Sequence, residues 1–292
     1  MTNTDPQPDG GIAVQHGPSS SKSIQNRNQL WTIARLEYQL AIRNKWALAL
    51  VGLFTFFSLI LATFSGSAVG PDGTERIVVS LTNLAVYLIP LAALAFGYDA
   101  IVGRQESGWL ATVFALPVSR AAVVIGSYLG RLFVLAGAII IGFGAVGILL
   151  LRDFGPTSWN VFIVFLSTAI GTGAVFLALA YLISSLAREK THALGVSLLV
   201  WVWFILVYDL LTLGLVASFD FPDPMLTGFV LSNPVSIFRV SVLSQVESAT
   251  AGGFSAAVAN TDLSIGLLAI SLIFWIIVLI WSASWAIKRR RL

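Results

Sequence analysis

The stretch VFIVFLSTAIGTGAVFLALAYLISSL, residues 161–186, contains no charged side chain and exceeds the ~20 apolar residues a helix needs to cross a bilayer. Hydrocarbon offers backbone N–H and C=O groups no water to bond, so an open run of this length is read as a helix. Working outward, comparable runs occupy residues 46–66, 78–98, 132–151, 193–219 and 263–287. The expectation is six spans, an even number that returns both termini to one side.

Composition agrees. The 292 residues are 57% hydrophobic and 11% charged, and the mean hydropathy is +0.87. An ordinary soluble domain is about 45–50% apolar and about 25% charged. The fold expected is an all-α integral membrane protein with one membrane domain over residues 30–292. Residues 1–29, MTNTDPQPDGGIAVQHGPSSSKSIQNRNQ, are rich in Pro, Gly, Ser and Asn without an apolar core. They are read as a disordered cytoplasmic tail and not as a cleavable signal.

The net charge of +3 carries less information than its distribution. Lys22, Arg27, Arg35, Arg43, Lys45, Arg104, Arg120, Arg131, Arg188, Lys190 and the terminal Lys288, Arg289, Arg290 and Arg291 fall on one side of the expected spans. Only Arg76, Arg152 and Arg239 fall on the other. The positive-inside rule then places both termini in the cytoplasm. Ahead of the first span, QLWTIARLEYQLAIRNKW mixes Trp31, Tyr38 and Trp46 with Arg35, Arg43 and Lys45, the composition of an interfacial helix. Gly126 and Gly130, followed by Gly137, Gly142, Gly144 and Gly147, allow close helix approach, either within the chain or between subunits.

The connector YDAIVGRQESGWLATVFALPVSR, residues 98–120, has more pattern than a loop requires. At 100° per residue, Val102, Trp109, Leu110, Val113, Phe114 and Leu116 share one arc, and Arg104, Ser107, Gly108, Ala111, Thr112 and Ala115 lie opposite. This reads as an amphipathic helix over residues 100–116, stopped by Pro117, with Ser119 placed to cap the next helix. The pattern leaves two roles open: a helix that shields the end of the bundle, or a surface against which another protein sits.

The blocks YDAIVG, ESGWL, LPVSR and GSYLGR resemble the cytoplasmic connector of ABC-2 type permeases. In that family the segment is a coupling helix resting in a groove of an ATPase subunit. The resemblance implies coupling positions at Asp99, Glu106, Gly108, Leu110, Pro117 and Arg120, with Arg104 beside them where an acid is frequent. Trp109 and Ser127 depart from the Thr and Lys common there. The blocks IPLAALAFGYDAIVG, VYDLL and LSNPVSIFRV resemble those family members that serve the maturation of the copper enzyme nitrous oxide reductase. Partners so implied are an ABC ATPase subunit carrying ATP and Mg, an external β-helix protein, a second copy of the chain and the lipid bilayer, but no nucleic acid. The family also contains general exporters of lipids, peptides or drugs, which is the alternative. A proton-driven secondary transporter is a third reading, weakened by the lack of an internal repeat.

Two further features stand out. Asp209 lies inside an apolar run, where an ionised carboxylate is expensive; it should face the bundle or a cavity, paired or protonated, with Tyr208 and Thr212 as local candidates. In the last external loop, SNPVSIFRVSVLSQVE offers Asn233 as N-cap, Pro234 in the first turn, and Val235, Phe238, Val242 and Val246 at helical spacing. A short external helix is expected, either a lid or, by the resemblance, a docking surface for the external partner through Asn233, Pro234, Phe238 and Arg239.

Catalytic material is scarce. The histidines are His16 and His192, the methionines Met1 and Met225, and there is no cysteine. No Ser–His or Cys–His arrangement can form in the spans, and no path of soft copper ligands is available. No cofactor is expected on this chain, nor a metal site. The sequence also lacks a G-x-x-x-x-G-K-[ST] loop. Any ATP is expected to be hydrolysed by another polypeptide, so the chain itself is not read as an enzyme.

Overall fold

The computed structural model describes residues 18–43, 45–65, 73–108, 119–154, 159–219, 221–246 and 263–289. Among them every regular element is helical. In chain order these are α1 (Pro18–Arg43), α2 (Trp46–Ser65), α3 (Gly73–Gly97), α4 (Val102–Glu106), α5 (Arg120–Phe154) and α6 (Trp159–Leu186). Then come α7 (Lys190–Val202), a π-helical turn (Trp203–Val207), α8 (Tyr208–Ser218), α9 (Asp223–Ser232), α10 (Pro234–Leu243) and α11 (Ile265–Arg289).

Among the described residues six helices are long and apolar enough to span a membrane, α2, α3, α5, α6, the continuous α7–π–α8 rod and α11, and the bent pair α9–α10 passes the same test when taken together. The protein is a multi-pass all-α membrane protein. Two helices extend beyond the expected ends. The third span begins at Arg120 instead of residue 132, because Ser119 Oγ accepts the Ala122 N–H at 3.1 Å and starts the helix there. Arg120 and Arg131 had hidden that extension from a hydropathy window. The helix α1 begins at Pro18, inside the segment read as an unstructured tail; residues 1–17 lie outside the described residues.

Gly126 and Gly130 serve packing within the chain. A Cβ on Gly126 would lie 2.9 Å from Ile33 Cβ, and one on Gly130 would lie 2.5 Å from the Ala34 carbonyl oxygen. The two glycines therefore let α1 lie directly on α5, backbone to backbone. Further along, Gly142 admits Phe54 of α2, and Ser58 Oγ donates to the Gly142 carbonyl at 2.9 Å.

The second and fourth spans form the centre, each with 61% of its most apolar window buried, against 11% for the fifth span. Ring contacts run through this core from α2 to the far end: Phe54 to Phe143 at 5.4 Å, Phe143 to Phe165 at 5.3 Å, and Phe165 to Phe238 at 5.8 Å. Offset and edge contacts of this kind add to what their buried area contributes. The α10 helix is thereby anchored in the same core as the first span.

Candidate functional site

At one end of the bundle, here called the connector end, α3 stops at Gly97 and the chain turns through residues 98–101 into the short α4. The side chain of Ser184 on α6 holds this turn. Its Oγ accepts the N–H groups of Ile101 and Val102 at 3.0 and 3.1 Å, two donors that α4 cannot satisfy internally. Ser107 and Gly108 form a turn, and Gly108 has φ +72°, a left-handed conformation that glycine adopts without steric cost. The continuous helix expected over residues 100–116 is thus corrected: α4 ends at Glu106. Trp109, Leu110 and Pro117 lie outside the described residues.

Charged groups bind the connector to its surroundings. Glu37, the lone carboxylate of α1, pairs with Arg104 of α4 through one oxygen and with Arg131 Nε of α5 through the other, the latter at 2.8 Å. Arg131 reaches on to Asp99 Oδ1 at 2.9 Å and to the carbonyl of Phe96, and its guanidinium lies 5.4 Å from the Phe96 ring centre. The side chains of Glu37, Arg104 and Arg131 are 7%, 15% and 13% exposed, so solvent screens these pairs weakly. Glu106 Oε1 accepts the Lys190 N–H at 2.8 Å where the fifth span starts. Arg120 donates to the Ile287 carbonyl at 3.2 Å, satisfying an acceptor in the last turn of α11.

Toward the opposite, far end lies the π-helical turn, near the middle of the fifth span. Such a turn disturbs the regular pairing of backbone groups, and here Asn233 Nδ2 donates to the Phe204 carbonyl at 3.0 Å. Asn233 Oδ1 accepts the Val235 N–H at 2.9 Å, which is the cap expected for α10. One asparagine so serves as the corner between α9 and α10, which bend by 115°. Tyr208 hydroxyl donates to the Phe229 carbonyl at 2.7 Å, and Trp275 Nε1 of α11 donates to the Leu231 carbonyl at 3.0 Å. The helix α9 itself had no signal in the sequence reading.

Asp209 pairs with Arg239, at 2.7 Å from Oδ2 to Nη1. The local candidates are corrected: Thr212 Oγ1 donates to the Tyr208 and Asp209 carbonyls, and Tyr208 hydroxyl turns to α9. The docking surface is also corrected. Asn233, Pro234 and Phe238 are buried, and Arg239 is taken up by Asp209, so these residues hold the far end together instead of facing outward.

A family model, described as ABC-2 family transporter protein, matches residues 31–292. This chain belongs to the ABC-2 family of transporter proteins. Among its relatives is a protein named "Probable ABC transporter permease protein NosY" from Pseudomonas aeruginosa, 37% identical over 255 residues, covering 84% of this chain and 93% of the relative. A protein of the same name from Stutzerimonas stutzeri is 38% identical over 276 residues, covering 91% and 99% respectively. The chain is an ABC-2 permease similar to NosY, and permease subunits of this kind are generally not enzymes themselves.

Of the residues expected to couple to an ATPase, Asp99, Arg104, Glu106, Gly108 and Arg120 gather at the connector end. Sequence reading missed Glu37, Arg131 as a bridging residue, and Ser184. The signal for Glu37 was present, as a single acid among Arg35, Arg43 and Lys45. Ser184 had none, since a serine in an apolar span is unremarkable until its neighbours are known.

Proposed function

We propose that this permease transmits the ATP-driven motion of a separate ATPase subunit across the membrane, in the maturation of the copper site of nitrous oxide reductase. The observation that carries the reading is the anchoring of the connector: Glu37 and Arg131 tie it to α1 and α5, Ser184 to α6, and Glu106 to α7. A push on such a connector cannot be absorbed locally, because buried charge pairs resist separation. It passes into the packed core, whose ring contacts end on Phe238 of α10. The product of the cycle is thus mechanical work at the far end, in support of copper or sulfur delivery.

The distribution of basic residues favours a cytoplasmic connector end with both termini there. The ATPase is of the NosF-like kind that accompanies NosY and carries ATP and Mg. The external partner is a NosD-like β-helix protein. A second copy of the permease covers the fifth span, of which only 11% of the apolar window is buried within one chain.

The test is a mild-detergent purification of the tagged chain from its native membranes, grown with and without nitrous oxide respiration, with co-purifying proteins identified by mass spectrometry. Recovery of an ATPase and an exported β-helix protein supports the reading. An ATPase alone points to a general exporter of a lipid, peptide or drug. Absence of any ATPase removes the coupling role.

A further inference from the structure

Between the end of α1, the start of α2 and the end of α3 lies a cleft of about 480 Å³, walled by Glu37, Arg43, Trp46, Phe96, Asp99 and Arg131 among others. The helix breaks between α1 and α2 at Lys45, whose φ of +59° is left-handed, and Arg43 and Trp46 come to the same opening. Its size falls in the range of about 300–1,000 Å³ usual for small-molecule sites. Its charges are only partly spent. Glu37 has both oxygens engaged by Arg104 and Arg131. Asp99 gives Oδ1 to Arg131, while its side chain is 41% exposed and has no other ion pair among the described residues. Arg43 is exposed and likewise forms no ion pair among them.

The cleft therefore presents one open guanidinium and one open carboxylate against an aromatic wall, with the Trp46 and Phe96 rings 6.1 Å apart. Trp46 opens the first span and Phe96 lies next to the end of α3, and we place the cleft at headgroup depth on that ground. Leu40 and Trp46, 50% and 41% exposed, add apolar surface to the wall. A ligand that uses both open charges carries an anion and a hydrogen-bond-donating cation, and among membrane lipids a phosphate with a primary ammonium supplies both. An anionic headgroup would meet the Asp99 carboxylate without a cation to offer it. A quaternary ammonium cannot donate a hydrogen bond to it.

We propose that the cleft is a binding site for an ethanolamine phospholipid headgroup of the adjacent leaflet, with its phosphate on Arg43 and its ammonium on Asp99. A lipid held there joins α1 to α2 and α3 directly beside the Glu37 network, so lipid composition bears on the rigidity of the connector.

The full chain, purified with the subunits that accompany it, is placed in phosphatidylcholine nanodiscs containing equal phosphatidylethanolamine and phosphatidylglycerol. Lipids retained after extraction are counted by native mass spectrometry. The expected result is about tenfold enrichment of phosphatidylethanolamine over phosphatidylglycerol. Retention of both lipids falls in Arg43→Ala and is largely kept in Arg43→Lys, whereas Asp99→Asn, which keeps an oxygen for Arg131, brings the two lipids to parity; in phosphatidylcholine alone the thermal unfolding of Arg43→Ala is unchanged because the side chain is exposed. Equal retention of the two lipids, a preference for phosphatidylglycerol, retention indifferent to Arg43→Ala, or a ratio indifferent to Asp99→Asn overturns the proposal. Binding of soluble O-phosphoethanolamine as tight as that of the lipid overturns the assignment to a membrane lipid.

Discussion

Glu37 and Arg104, 67 positions apart in sequence, form an ion pair that locks α1 to the connector. Arg131 completes a bridge from the same carboxylate into the third span. Removing one partner of a buried pair costs about 3–5 kcal/mol, because the remaining charges stay buried without compensation. Glu37→Ala takes a buried carboxylate from two guanidiniums, of which Arg131 keeps Asp99, and is expected to lose stability of that order, with a marked drop in the thermal midpoint of the purified permease. Its ATPase-linked activity should fall further than its abundance in the membrane. An unchanged midpoint would show that the network is not a structural anchor.

The glycines of the third span divide into two kinds, which gives an internally controlled experiment. Gly130→Val drives a branched side chain at the Ala34 carbonyl, a backbone atom that cannot swing away. Overpacking of this type costs about 1–3 kcal/mol. Gly137→Ala meets nothing within 4 Å and is expected to be neutral or slightly stabilising. Protease protection of α1 in isolated membranes checks both, with loss of protection expected only for Gly130→Val.

At the far end, Asp209 and Arg239 are expected to show coupling on the order of 1–3 kcal/mol in a double-mutant cycle of Asp209→Ala and Arg239→Ala. The double variant should be less destabilised than the sum of the singles, and the exchange Asp209→Arg with Arg239→Asp should recover part of the loss. Strictly additive effects would mean that the two side chains act separately.

The absence of cysteine makes the exposed fifth span directly testable. Leu199 and Leu210 are 70% and 69% exposed within one chain. Single Leu199→Cys or Leu210→Cys variants are expected to give disulfide-linked dimers on mild oxidation in native membranes. Phe274→Cys, equally exposed on α11, serves as the comparison and should stay monomeric. A reversed pattern on non-reducing gels would place the second copy on α11 instead.

The sequence by itself determined the six spans, because the cost of unpaired backbone in hydrocarbon leaves a long apolar run no structure but a helix. It also determined local chemistry: the Ser119 and Asn233 caps depend on atoms two or three residues away, and both are found where the pattern put them. What required the tertiary structure were the partners of charged and polar groups distant in the chain. Glu37 finds Arg104 and Arg131, Ser184 finds the connector backbone, and Asp209 finds Arg239 instead of its neighbours Tyr208 and Thr212. The meaning of Gly126 and Gly130 was settled in the same way, by which helix came to lie on them. Hydropathy sums over a window and caps act within a turn, so both can be read along the chain. A buried charge is satisfied by whatever the packing of helices brings within about 3 Å, and that is a property of the assembled bundle alone.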